Sequence, residues 1–75
     1  MKETILSLVR EYVDDVPDDT SVNLIEAGQL DSLAMLNIMS SLESEFEIEI
    51  DGEDISKRNF ASIDSMAALV KKYVK

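Results

Sequence analysis

An all-α fold, a small four-helix bundle of three main helices and a short third one, is what this chain of 75 residues predicts. Three observations carry that expectation. Apolar residues recur at helical spacing in three separate segments, which marks amphipathic helices that bury one face. Residues of helix-start type precede two of those segments, Asp31-Ser32 and Ser62. The one strictly alternating stretch, Glu47-Ile48-Glu49-Ile50, is short and has no partner strand in the sequence.

From Lys2 to Val13 the positions Ile5, Leu8, Val9, Tyr12 and Val13 form one stripe, so this segment is the first helix. Asp14-Asp15-Val16-Pro17-Asp18-Asp19 ends it, because the residue before proline is pushed out of the helical region and clustered aspartates favour turns. A long connection leads on to Asp31, with Val16, Val22, Leu24 and Ile25 available to tuck under the fold and Gly28 to turn the chain. Connections of this length are uncommon in small domains and are often functional.

The second helix runs from Leu33 to Phe46 behind an Asp31 or Ser32 cap, with Met35, Ile38, Met39, Leu42 and Phe46 on its core face. Leu33 and Leu36 fall well round from that stripe, beside Ser40 and Ser44. Two readings stand side by side: Leu33 as a staple on the preceding loop with Leu36 an ordinary surface leucine, or the pair as an apolar docking patch. The Glu47–Ile50 stretch is an extended connector with Ile48 and Ile50 turned inward. Gly52-Glu53-Asp54 opens a short helix through Arg58, with Ile55 as its apolar contact. Ser62 caps the last helix, whose stripe is Ile63, Met66, Ala67, Val70 and Val74, and Lys71, Lys72 and Lys75 gather where the macrodipole favours cations.

Residues 1–75 are read as a single domain without repeats. A chain this short buries only about 60% of its unfolded surface, which leaves little room for a deep cleft. There is no Cys and no His, which removes disulfides, thiolate nucleophiles, zinc sites and the usual general base. Serines without an activating base do not make a hydrolase, and the carboxylates read as a solvated face, so the chain is expected to be no enzyme. Asp51-Gly52-Glu53-Asp54 lacks the alternating ligands of a calcium loop, and no metal site is expected.

The formal net charge is −9, and between Glu11 and Ser56 there are fourteen acidic residues and no Lys or Arg. This charge argues against nucleic acid and anionic membranes as partners and favours basic protein surfaces. With neither a leader-like start nor a bilayer-length apolar run, the chain is read as a soluble, cytoplasmic monomer without a membrane span.

What remains is a protein acted upon. Leu30-Asp31-Ser32-Leu33 at the head of the second helix, the Phe46-Glu47-Ile48-Glu49-Ile50 connector, the acidic Glu53-Asp54 and the Phe60-Ala61-Ser62-Ile63 entry to the last helix together resemble the acyl carrier protein family. In that family an Asp-Ser-Leu motif bears 4'-phosphopantetheine on its serine. The resemblance, which runs from about Val16 to the C-terminus, implies that Ser32 takes the cofactor from coenzyme A through a phosphopantetheinyl transferase. The arm's thiol would then hold an acyl or aminoacyl group as a thioester. It also implies that Asp31, Leu33, Leu36, Glu43, Glu53, Asp54 and Ile55 meet the basic docking surfaces of loading and transferring enzymes. Met35, Met39, Ile50 and Met66, with Ile55, would line a space for an alkyl chain, flexible methionines suiting that role, or else simply fill the core.

The sequence departs from the fatty-acid pattern in two ways. Gly28-Gln29-Leu30-Asp31-Ser32-Leu33 carries one more residue between glycine and aspartate than the usual Gly-Ala-Asp-Ser-Leu, as D-alanyl and peptidyl-type carriers do. Ala34 and Asn37 stand where many fatty-acid carriers place acids. The expected function is an acyl carrier for fatty-acid, polyketide or related biosynthesis. The alternatives are an aminoacyl carrier for a ligase-dependent pathway, or an unmodified acidic helical module. Asp64-Ser65-Met66 repeats the motif's shape but lacks the long preceding loop and the leucine pair, and Ser65 is read as a surface serine.

Overall fold

Ile5 and Val9, spaced four apart, are buried and define the inner face of α1, Lys2–Arg10, and Val13, four residues on and past the helix end, is buried as well. The computed structural model describes residues 1–74, so Lys75 of the expected terminal lysine cluster lies outside the described residues. The helix was expected to reach Val13 but ends at Arg10, and the chain continues as a tight turn in which the Val13 N–H still donates to the Val9 carbonyl at 2.9 Å. Asp15 in the left-handed region, at φ 56°, completes the reversal and brings both Val13 and Val16 into the core. Tyr12 thereby leaves the stripe assigned to it. It is 43% exposed, and its hydroxyl shares a hydrogen bond with Ser41 Oγ at 3.1 Å, a polar tip that a place in the core would have left without water.

Backbone bonds pin the long connection to the far end of the chain. Thr20 accepts the Asp64 N–H at 3.0 Å on its carbonyl and donates its hydroxyl to the Asp64 carboxylate at 2.7 Å; the Leu24 N–H donates to the Ala61 carbonyl at 2.6 Å. Between them Val16, Leu24 and Leu30 are buried, while Val22 and Ile25 are packed against the core. Leu30, absent from the expected core, anchors the chain immediately ahead of the second helix and so fixes where that helix begins.

α2, Ser32–Phe46, buries Ile38 and Leu42 completely, with Met35, Met39 and Phe46 packed at the edge of the core. It stops at Glu47, whose left-handed φ of 53° turns the chain into the extended connector, and Ile50 then buries itself while Ile48 is half-buried. The single short helix expected from Gly52 to Arg58 is in fact two pieces. A 3₁₀ turn spans Gly52–Asp54, Ile55 and Ser56 are extended, and α3 spans only Lys57–Phe60, with Ser56 accepting the Asn59 N–H on its hydroxyl at 3.4 Å. The break follows from Ser56, which as a cap must leave the helical region to bring its oxygen onto the first turn. Phe60 is fully buried and fixes α3.

α4, Ile63–Tyr73, packs on α1 and α3. Its expected cap holds: Ser62 accepts the Ser65 N–H at 3.0 Å. Ile63, Met66, Ala67 and Val70 are buried as expected, and Leu69 joins them. Val74 does not. The helix ends one residue earlier, and Val74, in extended conformation, is 38% exposed. Among the described residues no helix is long and apolar enough to cross a membrane.

Polar side chains tie the two ends of this half together. The Tyr73 hydroxyl donates to the Asp54 carboxylate and accepts the Asp51 N–H at 3.2 Å, and Lys72 Nζ donates to both Asp54 oxygens at 3.0 and 2.9 Å. The Tyr73 hydrogen bond, and after it Lys72, hold the Asp54 carboxyl below the ordinary carboxylate value. Asp64 is lowered likewise by Thr20 and then Lys2, and Asp19 by the hydroxyl and backbone N–H of Ser21. A carboxylate whose pKa is lower in the folded state contributes stability that is present above its unfolded pKa of about 3.9 and is lost as pH falls through the folded value. Asp54→Asn is therefore expected to destabilise the protein near neutral pH and to match it more closely as pH drops below about 4. Urea unfolding midpoints of the two proteins against pH measure this, and curves that stay parallel into acid would remove the contribution assigned to Asp54.

Candidate functional site

Leu24 holds the approach to α2. Its carbonyl accepts the N–H of Gln29 at 2.9 Å and of Leu30 at 3.2 Å, which requires a sharp turn between them, and Gly28 makes it at φ +76°. The Gln29 side-chain amide donates to the carbonyls of Asp14 at 3.2 Å and Asp15 at 2.9 Å, bracing the same turn from the α1 side. With Leu30 buried behind it, the chain emerges at Asp31, whose extended backbone lets its carboxylate accept the Ala34 N–H at 2.8 Å. Asp31 is thus the helix cap, and Ser32 is the first helical residue, exposed, with its backbone N–H among the orphan donors of the helix start.

Ser32 borders a cavity of about 250 Å³ whose other walls are Ile25, Leu30, Asp31, Met35 and Lys57. Three of these are apolar and come from three parts of the chain: the long connection, its end, and the second turn of α2. Lys57, the first residue of α3, is the cation of the set. Sequence reasoning assigned no role to Lys57 or to Ile25 beyond packing. The signal available was that Lys57 is the first positive charge after Arg10.

Leu33 is 69% exposed and Leu36 47%, so the wheel that separated them from the core face was right about their direction. Asn37 and Ser40 are exposed on the same helix, giving the surface beside Ser32 an apolar and neutral character. The acidic residues expected to flank it have different surroundings. Glu53 is exposed on the 3₁₀ turn. Glu43 is half-buried, and its carboxylate accepts the Ile50 N–H at 2.9 Å, holding the connector against the end of α2. Asp54 is engaged by Tyr73 and Lys72, and Ile55 is half-buried against the core. Of the residues expected to line a space for cargo, Met35 faces the cavity beside Ser32 and Met39 is half-buried; Ile50 and Met66 lie in the packed core. Ser65 is not the free surface serine expected: it is half-buried, its hydroxyl accepts a hydrogen bond from Ser62 Oγ at 3.0 Å, and it lies in the first turn of α4.

An exposed primary hydroxyl on a helix start suits attachment of a phosphate ester, since the product's negative charge sits at the positive end of the helix dipole.

Residues 3–70 match the family model described as phosphopantetheine attachment site. The chain is 31% identical over 61 residues to the D-alanyl carrier protein of Streptococcus suis, a match covering 80% of this chain and 77% of that protein. It is 30% identical over 67 residues to the probable acyl carrier protein PigG of Serratia, covering 87% of this chain and 77% of the relative. Among solved structures it resembles the Agrobacterium tumefaciens carrier protein complexed with an engineered Bradyrhizobium japonicum glycine:[carrier protein] ligase and AMP. The TM-score is 0.82 and the identity 28%, over 95% of this chain and 99% of that one.

Proposed function

For a chain that belongs to the phosphopantetheine attachment family and so carries 4'-phosphopantetheine covalently, we propose that Ser32 is the point of attachment and that the cargo is an aminoacyl group loaded by an adenylating ligase. The observation that carries the first half is the placement of Ser32: an exposed hydroxyl at the start of α2, behind an Asp31 cap and beside a cavity with an apolar wall. On modification the Ser32 Oγ loses its proton and bonds to the pantetheine-side phosphorus of coenzyme A as that phosphorus's bond to the bridging pyrophosphate oxygen breaks, the adenosine 3',5'-bisphosphate part leaving with that oxygen, and the oriented N–H groups of the first turn favour the negative charge of the phosphodiester. The bound group supplies a terminal thiol, which this chain, having no Cys, does not contain. The protein's own part is to present Ser32 on a fixed helix end and to be recognised there.

Recognition is assigned to Leu33 and Leu36, the exposed apolar pair on α2, with Glu53 as an exposed acidic contact. In transient complexes of this kind charge raises the association rate and selects partners more than it adds affinity. Glu43 and Asp54 take a smaller share than the sequence reading assigned them, because each already holds a partner within the fold.

The aminoacyl cargo is supported by likeness to proteins named D-alanyl carriers, by likeness to a carrier solved with a glycine ligase, and by the extra residue between Gly28 and Asp31. An α2 face without acid beside Ser32 accords with it, since Ala34 and Asn37 thin the charge there. The second reading, a carrier of acyl groups for fatty-acid or polyketide-type chemistry, is favoured by the Serratia relative and by Met35 at the cavity wall. Intact mass separates the two. Holo protein incubated with ATP, an amino-acid:[carrier protein] ligase and a panel of amino acids is expected to gain an aminoacyl residue, released by thiol reagents. Gain of mass only from acyl-coenzyme A and an acyltransferase would replace this reading with the second.

A further inference from the structure

Ser32 and Lys57 are far apart in sequence and stand on different elements, yet they line one cavity with Ile25, Leu30, Asp31 and Met35. A neighbouring cavity of about 260 Å³, walled by Asn23, Ile25, Glu26, Lys57, Arg58 and Ala61, meets the first at Ile25 and Lys57, which line both. The surface beside Ser32 therefore continues past Lys57 along the long connection and α3. The charged groups along it are mixed: Asp31 and Lys57 line the cavity beside Ser32, and Glu26, Lys57 and Arg58 the neighbouring one. Lys2, Arg10 and Lys72 are each paired to a carboxylate, whereas Lys57, like its neighbour Arg58, forms no ion pair among the described residues. In a chain with sixteen acidic side chains, the fold leaves this exposed cation over the cavity without a partner.

We propose that Lys57 is a positioning residue that draws the phosphodiester carried on Ser32 toward α3 and seats the first part of the pantetheine arm against Ile25, Leu30 and Met35; this rests on the assignment of Ser32 as the attachment point. The order of chemistry matches. Beyond Ser32 the arm presents a singly charged phosphodiester and then a carbon bearing two methyl groups, while the protein presents a cation at the rim of an apolar wall. Lys57 also offsets the repulsion that Asp31, the cap at the adjacent position, exerts on the new charge. A lysine meets a phosphate as a point charge, so arginine should substitute for it and a neutral side chain should not. Because both charges are exposed, the expected gain in the seated fraction is modest, about two- to fivefold, and it should weaken with salt.

The experiment uses isotope-labelled holo protein with an unlabelled arm, and reads filtered nuclear Overhauser contacts from the arm's paired methyl groups to the methyls of Ile25 and Met35. The contacts are expected in the parent protein and in Lys57→Arg, and to fall about two- to fivefold in Lys57→Gln. Their absence from the parent protein, or equal intensity in Lys57→Gln, overturns the proposal while the attachment assignment stands. The intact mass of a Ser32→Ala sample prepared alongside reports on that assignment separately: if it still gains the arm, the attachment at Ser32 fails and the proposal falls with it.

Discussion

Ser32→Ala is expected to abolish addition of phosphopantetheine while leaving the fold intact. Incubated with coenzyme A and a broad-specificity phosphopantetheinyl transferase, the parent protein gains one arm by intact mass, and the variant gains none. The fold should survive because the hydroxyl stabilises nothing visible. The helix is capped by the Asp31 carboxylate on the Ala34 N–H, and Ser32 itself is exposed at the first helical position. Alanine is favourable in helices, so the change in stability should lie within about 0.5 kcal/mol. That separation makes the result interpretable, because loss of modification cannot then be loss of structure. Ser65→Ala is the matched control: Ser65 is half-buried against Ser62 in α4, and the variant should be modified like the parent. Equal mass gain in Ser32→Ala and the parent would end the assignment.

The largest expected effect on stability belongs to Phe60→Ala. Phe60 is fully buried and sits at the end of α3, a helix of four residues that has no stability of its own and depends on packing. Truncating a buried phenylalanine costs about 3–5 kcal/mol through lost transfer energy and the cavity left behind. A domain of this length has a total of roughly 4–11 kcal/mol at typical values per residue, so the variant should lose a large part of its stability and unfold outright at the lower end of that range. The consequence reaches the site, since α3 carries Lys57 and its wall of the cavity beside Ser32. A urea midpoint for Phe60→Ala within error of the parent's would show that α3 is not held by this side chain.

The parts that sequence made legible share one property: each depends on residues close together in the chain. Asp31 followed by an apolar period gives a capped helix whatever surrounds it, so the start of α2 followed to within one residue, and the wheel set Leu33 and Leu36 apart from the core stripe, while their exposure rather than a staple on the loop was decided by the fold. Ser62 predicted the start of α4 for the same reason. Misjudged elements involve competition between local pattern and tertiary packing. Tyr12 and Val74 continue their stripes on a wheel, but each helix stops before reaching them. Gly52 to Arg58 reads as one short helix, but Ser56 caps its second half and breaks the run. Glu43 and Asp54 look like free acids in the sequence, where nothing shows that Ile50 and Tyr73 come round to meet them.

By itself the sequence determined that the chain is helical, that it contains no Cys and no His, and that an Asp-Ser-Leu serine opens the second main helix, because caps, periodicity and composition are local or global sums that need no coordinates. Only the tertiary structure decided what faces that serine. Leu24 bonds the long connection to Ala61 and holds Leu30 behind it, α3 packs against α4 with Phe60 buried, and the result sets Lys57, Ile25 and Met35 around Ser32. Such a meeting is fixed by how buried side chains fill shared volume, and no spacing along the chain encodes it.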